Sequence, residues 1–224
     1  MKFCNSSLKQ KKGFTLIELL VTITIFVILT GVVLFSQTGF NNTILLKSLA
    51  YDVALTIRQA QDYGVNVNES KTLLNPFAPF GVYFNLNTTS GLGNIHSFIF
   101  FTDTENKNFV LVSDGMYNNA QVITCTSGDP ECISKYNIGN GNYINGICVT
   151  NGSSCAVGPK SSDTQVTNGL DILFTRPNPN AKITTFDSSN NNPVQYNYAD
   201  IQVSSANGQT KDIIVTSVGQ IYVQ

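Results

Sequence analysis

The residues able to do chemistry are few and sit in three places. Cys125, Cys132, Cys148 and Cys155 form two pairs with the same i, i+7 spacing, and Cys4 stands apart near the N-terminus. In an oxidising compartment such pairs predict two local disulfides, although four cysteines allow three connectivities. Each loop of about eight residues would contribute roughly 2–3 kcal/mol by chain entropy. The rival is zinc, whose structural ligand pairs ordinarily lie two to four residues apart. The second place is polar. His96 is the single histidine, so no Ser or Cys nucleophile has an evident base, and no G-x-S-x-G occurs. It reads as a solvated residue at the start of a strand. Asp103, Glu105, Lys107 and Asn108 cluster oxygens as calcium loops do, yet lack the EF-hand glycine and distal glutamate. They read as a hairpin tip. The third place is Glu18, whose carboxylate lies inside an apolar segment. Such a group costs on the order of 2.5–3.5 kcal/mol at mid-membrane and little at headgroup depth. No catalytic residue, cofactor site or metal site is expected.

The elements that must carry these residues follow from charge and hydropathy. The 224 residues are 42 % hydrophobic but only 12 % charged, against roughly 25 % charged in ordinary globular chains. Residues 1–13 hold four lysines and no acid, or +4, and the other 211 hold nine basic and fourteen acidic side chains, or −5. An acidic body without basic clusters argues against nucleic acid as a partner, because phosphate neutralisation needs Lys and Arg. The run from Leu19 to Leu46 has no charge over 28 residues, which argues against a simple cytosolic enzyme.

Within that run, Leu19 to Phe35 is an apolar stretch of 17 residues that Ile17 and Phe40 extend. A membrane span needs about 20, and lipid forces it to be helical because every backbone group must bond internally. The preceding lysines predict an N-terminus on the cytoplasmic side and an exported body. A secretory signal peptide would end in small residues of the A-x-A kind, whereas Ser36-Gln37-Thr38-Gly39 follows here. A lipid-modified cysteine would follow the apolar stretch, and Cys4 precedes it.

No proline occurs before Pro76. Leu45, Leu46, Leu49, Ala50, Val53, Ile57 and Ala60 recur every three or four residues, with Lys47, Asp52, Gln59 and Asp62 off that stripe. An amphipathic helix is predicted, stopping at Gly64. From Phe14 to Tyr63 it would measure about 75 Å. Beyond Gly64 the pattern shifts to short β-runs: 80–86, 97–102, 109–113, 121–124, 169–175, 182–186, 199–204, 212–216 and 220–223. The Asn-rich stretch 188–192 reads as a loop, and 176–180 as a proline-stiffened turn at an edge strand. These elements predict an α+β protein: a long helix packed on one antiparallel β-sheet domain.

Lys11-Lys12-Gly13-Phe14-Thr15-Leu16-Ile17-Glu18-Leu19-Leu20 resembles the processing signature of type IV prepilins and type II secretion pseudopilins. The match covers the leader and first helix. It implies a pilin "lollipop" with residues 1–13 as a cleaved leader, 14–64 as a helix spanning the membrane over about 16–38, and 65–224 as an extracytoplasmic β-rich domain. A prepilin peptidase would cut between Gly13 and Phe14 and methylate the new Phe14 amine. Glu18 would face the Phe14 ammonium of a neighbouring subunit as helices bundle, a pairing that fixes register more than it adds stability. Where related pilins often carry a helix-interrupting proline, this chain has Phe35 and Ser36. The cut would also remove Cys4, leaving an even number of cysteines.

The implied partners are other pilin subunits, the peptidase, the pilus or secretion assembly machinery, and membrane lipid before assembly. The implied location is the cytoplasmic membrane, crossed once, and then an extracytoplasmic or cell-surface filament. Phe80–Phe84 with Ile99–Asp103, Phe174–Pro179 and Ile213–Ile221 further resemble the body of GspH/FimT-like minor pilins. The expected function is therefore that of a structural subunit, a minor pilin, and not of an enzyme. The alternative is a binding module, either a tip adhesin or a DNA-uptake pilin.

Overall fold

A computed structural model describes residues 13–66, 78–86, 95–104, 116–117, 125, 129, 131–152, 169–186 and 194–224, and within these every side chain except those of 35–40 and 186. The chain divides into two compact units, Met1–Asn41 and Asn42–Gln224. Helix α1 (Leu16–Val65) is followed by β1 (Phe80–Phe84), β2 (Ser97–Thr102), β3 (Cys132–Asn137), β4 (Tyr143–Thr150), β5 (Gly169–Phe174), β6 (Ala181–Phe186), β7 (Val194–Tyr196), β8 (Tyr198–Ser204), β9 (Thr210–Thr216) and β10 (Ile221–Val223). This is the α+β, pilin-like arrangement expected. Of the predicted strands, 109–113 and 121–124 lie outside the described residues, as does the loop at 188–192.

In the first unit, Leu16–Leu34 is long and apolar enough to cross a membrane by length and composition, and none of it is buried within the chain. Its threonines do not disturb that surface. Thr22, Thr24 and Thr30 donate their hydroxyls to the carbonyls of Leu19, Leu20 and Phe26 at 2.7–2.8 Å. Each hydroxyl is thus satisfied inside the helix, as an apolar environment requires.

In the second unit the helix has one buried face. Leu46, Leu49, Ala50, Val53, Ala54, Ile57 and Ala60 join the core, and burying each larger side chain contributes about 1.5–3 kcal/mol. Lys47, Asp52 and Asp62 stay exposed. The strands form two antiparallel sheets, ordered β3-β2-β1-β5-β6-β7 and β10-β9-β8-β4. Alternation decides what each strand contributes. Phe80, Val82 and Phe84 of β1, Phe98 and Phe100 of β2, and Leu170, Ile172 and Phe174 of β5 share the helix's core cluster. Tyr83, Ile99, Phe101 and Leu173 point the other way and are buried in a second cluster with Tyr117 and Cys132. Both faces of the central strands are therefore covered. Ile144, Ile147, Val149, Ala199, Ile201, Val203, Ile213 and Val215 of the smaller sheet complete the first cluster.

Polar ties fix the helix to strand-connecting turns. Gln61 Nε2 donates to the carbonyls of Pro179 (2.9 Å) and Gly219 (3.0 Å), and Arg58 Nη2 donates to that of Ile221 (2.9 Å). Gly219 sits at φ +86°, where a Cβ would run into the Pro179 carbonyl. Gly64, expected to stop the helix, lies inside it. Its role is steric, since a Cβ there would fall 2.5 Å from the Phe174 carbonyl oxygen. Tyr63 sets its ring edge-on to Phe80, centroids 5.6 Å apart, at the same contact.

The turn at 176–180 joins β5 and β6, which are interior strands of the six-stranded sheet, so the edge position expected for it is corrected. Asp103, expected on an exposed hairpin tip, is fully buried just past β2, and its N–H donates to the Pro79 carbonyl at 2.9 Å. Glu105, Lys107 and Asn108 lie outside the described residues.

Candidate processing and assembly site

Gly13, Phe14 and Thr15 precede the helix in non-helical backbone, and α1 begins at Leu16. Thr15 is the N-cap. Its side-chain Oγ1 accepts a hydrogen bond from the Glu18 N–H at 3.4 Å, and its carbonyl accepts the first intrahelical bond, from Leu19 N–H at 3.2 Å. Thr15 and Glu18 have the T-x-x-E spacing of a capping box, a signal present in the sequence that the prepilin reading passed over. Glu18 lies in the first helical turn, where a carboxylate is favoured by the partial positive charge of the unpaired N–H groups.

Among the described residues nothing covers this site. Phe14 is 76 % exposed, and no atom lies within 4 Å of where a Gly13 Cβ would sit. Nothing among the described residues demands a glycine there. Leu16, Ile17, Leu19 and Leu20 are also exposed. The arrangement presents an accessible peptide bond, a carboxylate one turn away and a surrounding apolar surface that is exposed among the described residues.

The cysteines form a separate structural feature. Cys125 and Cys132 are joined by a disulfide. Cys148 on β4 is also disulfide-bonded, while Cys155 and Cys4 lie outside the described residues. The Cys125–Cys132 bridge holds part of the outer cover of the larger sheet, where carboxylates cap backbone donors. Asp129 Oδ1 accepts from the N–H groups of Glu131 (3.0 Å) and Cys132 (3.2 Å), Glu131 from that of Thr104 (3.1 Å), and Asp171 from that of Tyr117 (3.2 Å).

The Tyr117 hydroxyl donates to Asp129 Oδ2. Burial first, and then that bond, push its phenol well above the usual range. Tyr83 is pushed the same way by burial and by the Asp171 carboxylate. On β8, burial and the neighbouring Asp200 push Tyr198 up to about 12. Tyr83 and Tyr117 pack against each other on the larger sheet, ring centroids 5.2 Å apart. Among the described residues no three His, Cys, Asp or Glu side chains are grouped so as to hold a metal. His96 is exposed just before β2, with Nδ1 3.0 Å from the Asn142 carbonyl.

No curated protein and no solved structure matches this chain. Residues 8–34 match the family described as the prokaryotic N-terminal methylation motif. That segment contains Gly13, Phe14, Thr15 and Glu18 and nearly the whole apolar half of the helix. The chain therefore carries the N-terminal signal of type IV prepilins and pseudopilins, the class of precursor that prepilin peptidase processes.

Proposed function

We propose that this protein is a structural subunit, a minor pilin, of a type IV pilus or a type II secretion-like pseudopilus. The reading rests on one conjunction: a methylation motif over residues 8–34 set on a helix whose Leu16–Leu34 stretch has no buried residue. Fourteen exposed apolar side chains in that stretch are unfavourable in water, at about 25 cal/mol per Å² of apolar surface. Lipid relieves that cost before assembly, and the helices of other subunits relieve it afterwards. In this reading residues 1–13 are a leader removed at Gly13–Phe14, the helix crosses the cytoplasmic membrane once, and the rest of the chain is extracytoplasmic. Glu18 faces the methylated Phe14 ammonium of a neighbouring subunit and sets the register of the bundle. The likeness of Phe80–Phe84 and Ile99–Asp103 to GspH/FimT-like bodies supports the minor-pilin assignment. Two local disulfides, Cys125 to Cys132 and Cys148 to Cys155, suit an exported domain.

Mass spectrometry of the protein from its native membrane tests this directly. The expected mature chain begins at N-methylated Phe14 and lacks thirteen residues. A chain that keeps Gly13, or begins elsewhere, overturns the reading.

A further inference from the structure

The helix start lies close to the bond proposed above to be cut, and one side chain sets that distance. We infer that Thr15 is a positioning residue for leader removal, because its N-cap keeps the Gly13–Phe14 peptide out of the helix.

In an N-cap the residue's own carbonyl accepts the first intrahelical bond, and carbonyls upstream of it stay free. Here that first acceptor is Thr15, bonded by Leu19 N–H at 3.2 Å, while its Oγ1 takes the Glu18 N–H at 3.4 Å. Residues 13–15 are consequently non-helical, and the space around Gly13 is open. The scissile carbonyl belongs to Gly13. It must be free to be polarised and attacked by water, which breaks the C–N bond, adds its hydroxyl to Gly13 and leaves a proton on the Phe14 amine.

Without the Thr15 hydroxyl, the next acceptable cap upstream is Gly13 itself, since glycine ranks close to threonine at this position and phenylalanine does not. The helix would then begin at Phe14, and the Gly13 carbonyl would accept from the N–H of Ile17. The bond to be cut would be sequestered in a helical turn, and each cleavage would first require that turn to open.

This inference depends on cleavage at Gly13–Phe14, and the test separates the two. The full-length chain, its Thr15→Val variant (nearly isosteric, without the hydroxyl) and its Thr15→Ser variant are placed in lipid vesicles with a prepilin peptidase. Loss of the thirteen-residue leader is followed by mass spectrometry over a range of substrate concentrations. Because only the fraction of chains with a free scissile carbonyl binds productively, Thr15→Val should raise KM measurably and by at most about fivefold, the full ratio for one lost N-cap, with kcat unchanged. Thr15→Ser should process within about twofold of the parent, since serine caps at least as well. A parent that is cut while Thr15→Val matches its KM overturns the inference and leaves the processing reading intact. Thr15→Ser as impaired as Thr15→Val also overturns it, by showing that the threonine methyl is read rather than the cap. A parent not cut at Gly13–Phe14 overturns the reading and the inference together.

Discussion

The two halves of α1 share a secondary structure and differ in everything else. From Leu16 to Leu34 no residue is buried, although fourteen of the nineteen are large and apolar. From Leu46 to Gly64 one face is buried to within a few per cent and the other is solvated. The second stretch is covered by strands of its own unit, and the first is exposed among the described residues. Burial energy in the second stabilises a fold, while exposed apolar area in the first becomes useful only when lipid or another protein covers it. Substitutions should therefore report on assembly in the first stretch and on folding in the second.

The largest effect is expected from Glu18→Val. The variant should still lose its leader, but a Phe14 ammonium left without its partner in an apolar bundle costs about 3–5 kcal/mol. Incorporation into filaments should fall by at least about a hundredfold, read by quantifying the subunit in sheared filaments against the membrane pool. Parent-like incorporation would remove Glu18 from the assembly account.

Ile57→Ala is next, and it tests the contrast most directly. Ile57 is fully buried in the first core cluster, so the variant should lose about 2–5 kcal/mol in denaturant unfolding. The same change at exposed Ile25 should stay within about 0.5 kcal/mol. Equal losses would mean that the two stretches are not distinct in the way their burial indicates.

Cys132→Ser opens the loop closed by Cys125, and stability should drop by about 2–3 kcal/mol. Reducing agent, which also opens the bridge at Cys148, should lower the parent by more than the variant, the difference being the contribution of the Cys125–Cys132 loop.

The smallest effect is confined to alkali. The Tyr198 phenol titrates near 10 in the unfolded chain and about 12 in the folded one. The folded state keeps its proton longer, so this contribution is complete below pH 10 and is lost as pH rises from 10 to 12. Tyr198→Phe should flatten the loss of stability between pH 10 and 12, measured by urea midpoints at successive pH values. An unchanged alkaline slope would show that burial does not hold the phenol neutral.

Much of this was legible beforehand, and the misses are instructive. The helix stripe from Leu46 to Ala60 and the strands β1, β2, β5, β6, β8, β9 and β10 stand within two residues of their expected ends. All are marked by periodicity, which is a local property. β3, β4 and β7 were not expected. β3 reads CISKYN and is half-buried at a sheet edge, so its alternation is weak. β4 carries Gly146 where its register with β8 shifts, which breaks the pattern. β7 has only three residues, with Val194 and Gln195 exposed. At the candidate site, Gly13, Phe14 and Glu18 are singled out by their resemblance to the processing signature, and their roles are those proposed above. Thr15 was missed because its hydroxyl acts through a cap bond that the processing motif does not require.

The sequence alone determined what short-range order can encode: the methylation motif, the uncharged run, the amphipathic stripe and the paired cysteine spacings. Each is a pattern of residue types within a few turns of chain. Only the tertiary structure decided that the strands divide between two sheets, that Asp103 is buried rather than exposed, and that Gly64 serves a close contact with Phe174 rather than a helix stop. It also showed that the apolar half of α1 is uncovered while the amphipathic half is not. The helix's seat on the sheets depends on contacts between residues more than a hundred positions apart, such as Gln61 with Pro179 and Gly219. Local periodicity carries no record of which distant surface a face will meet.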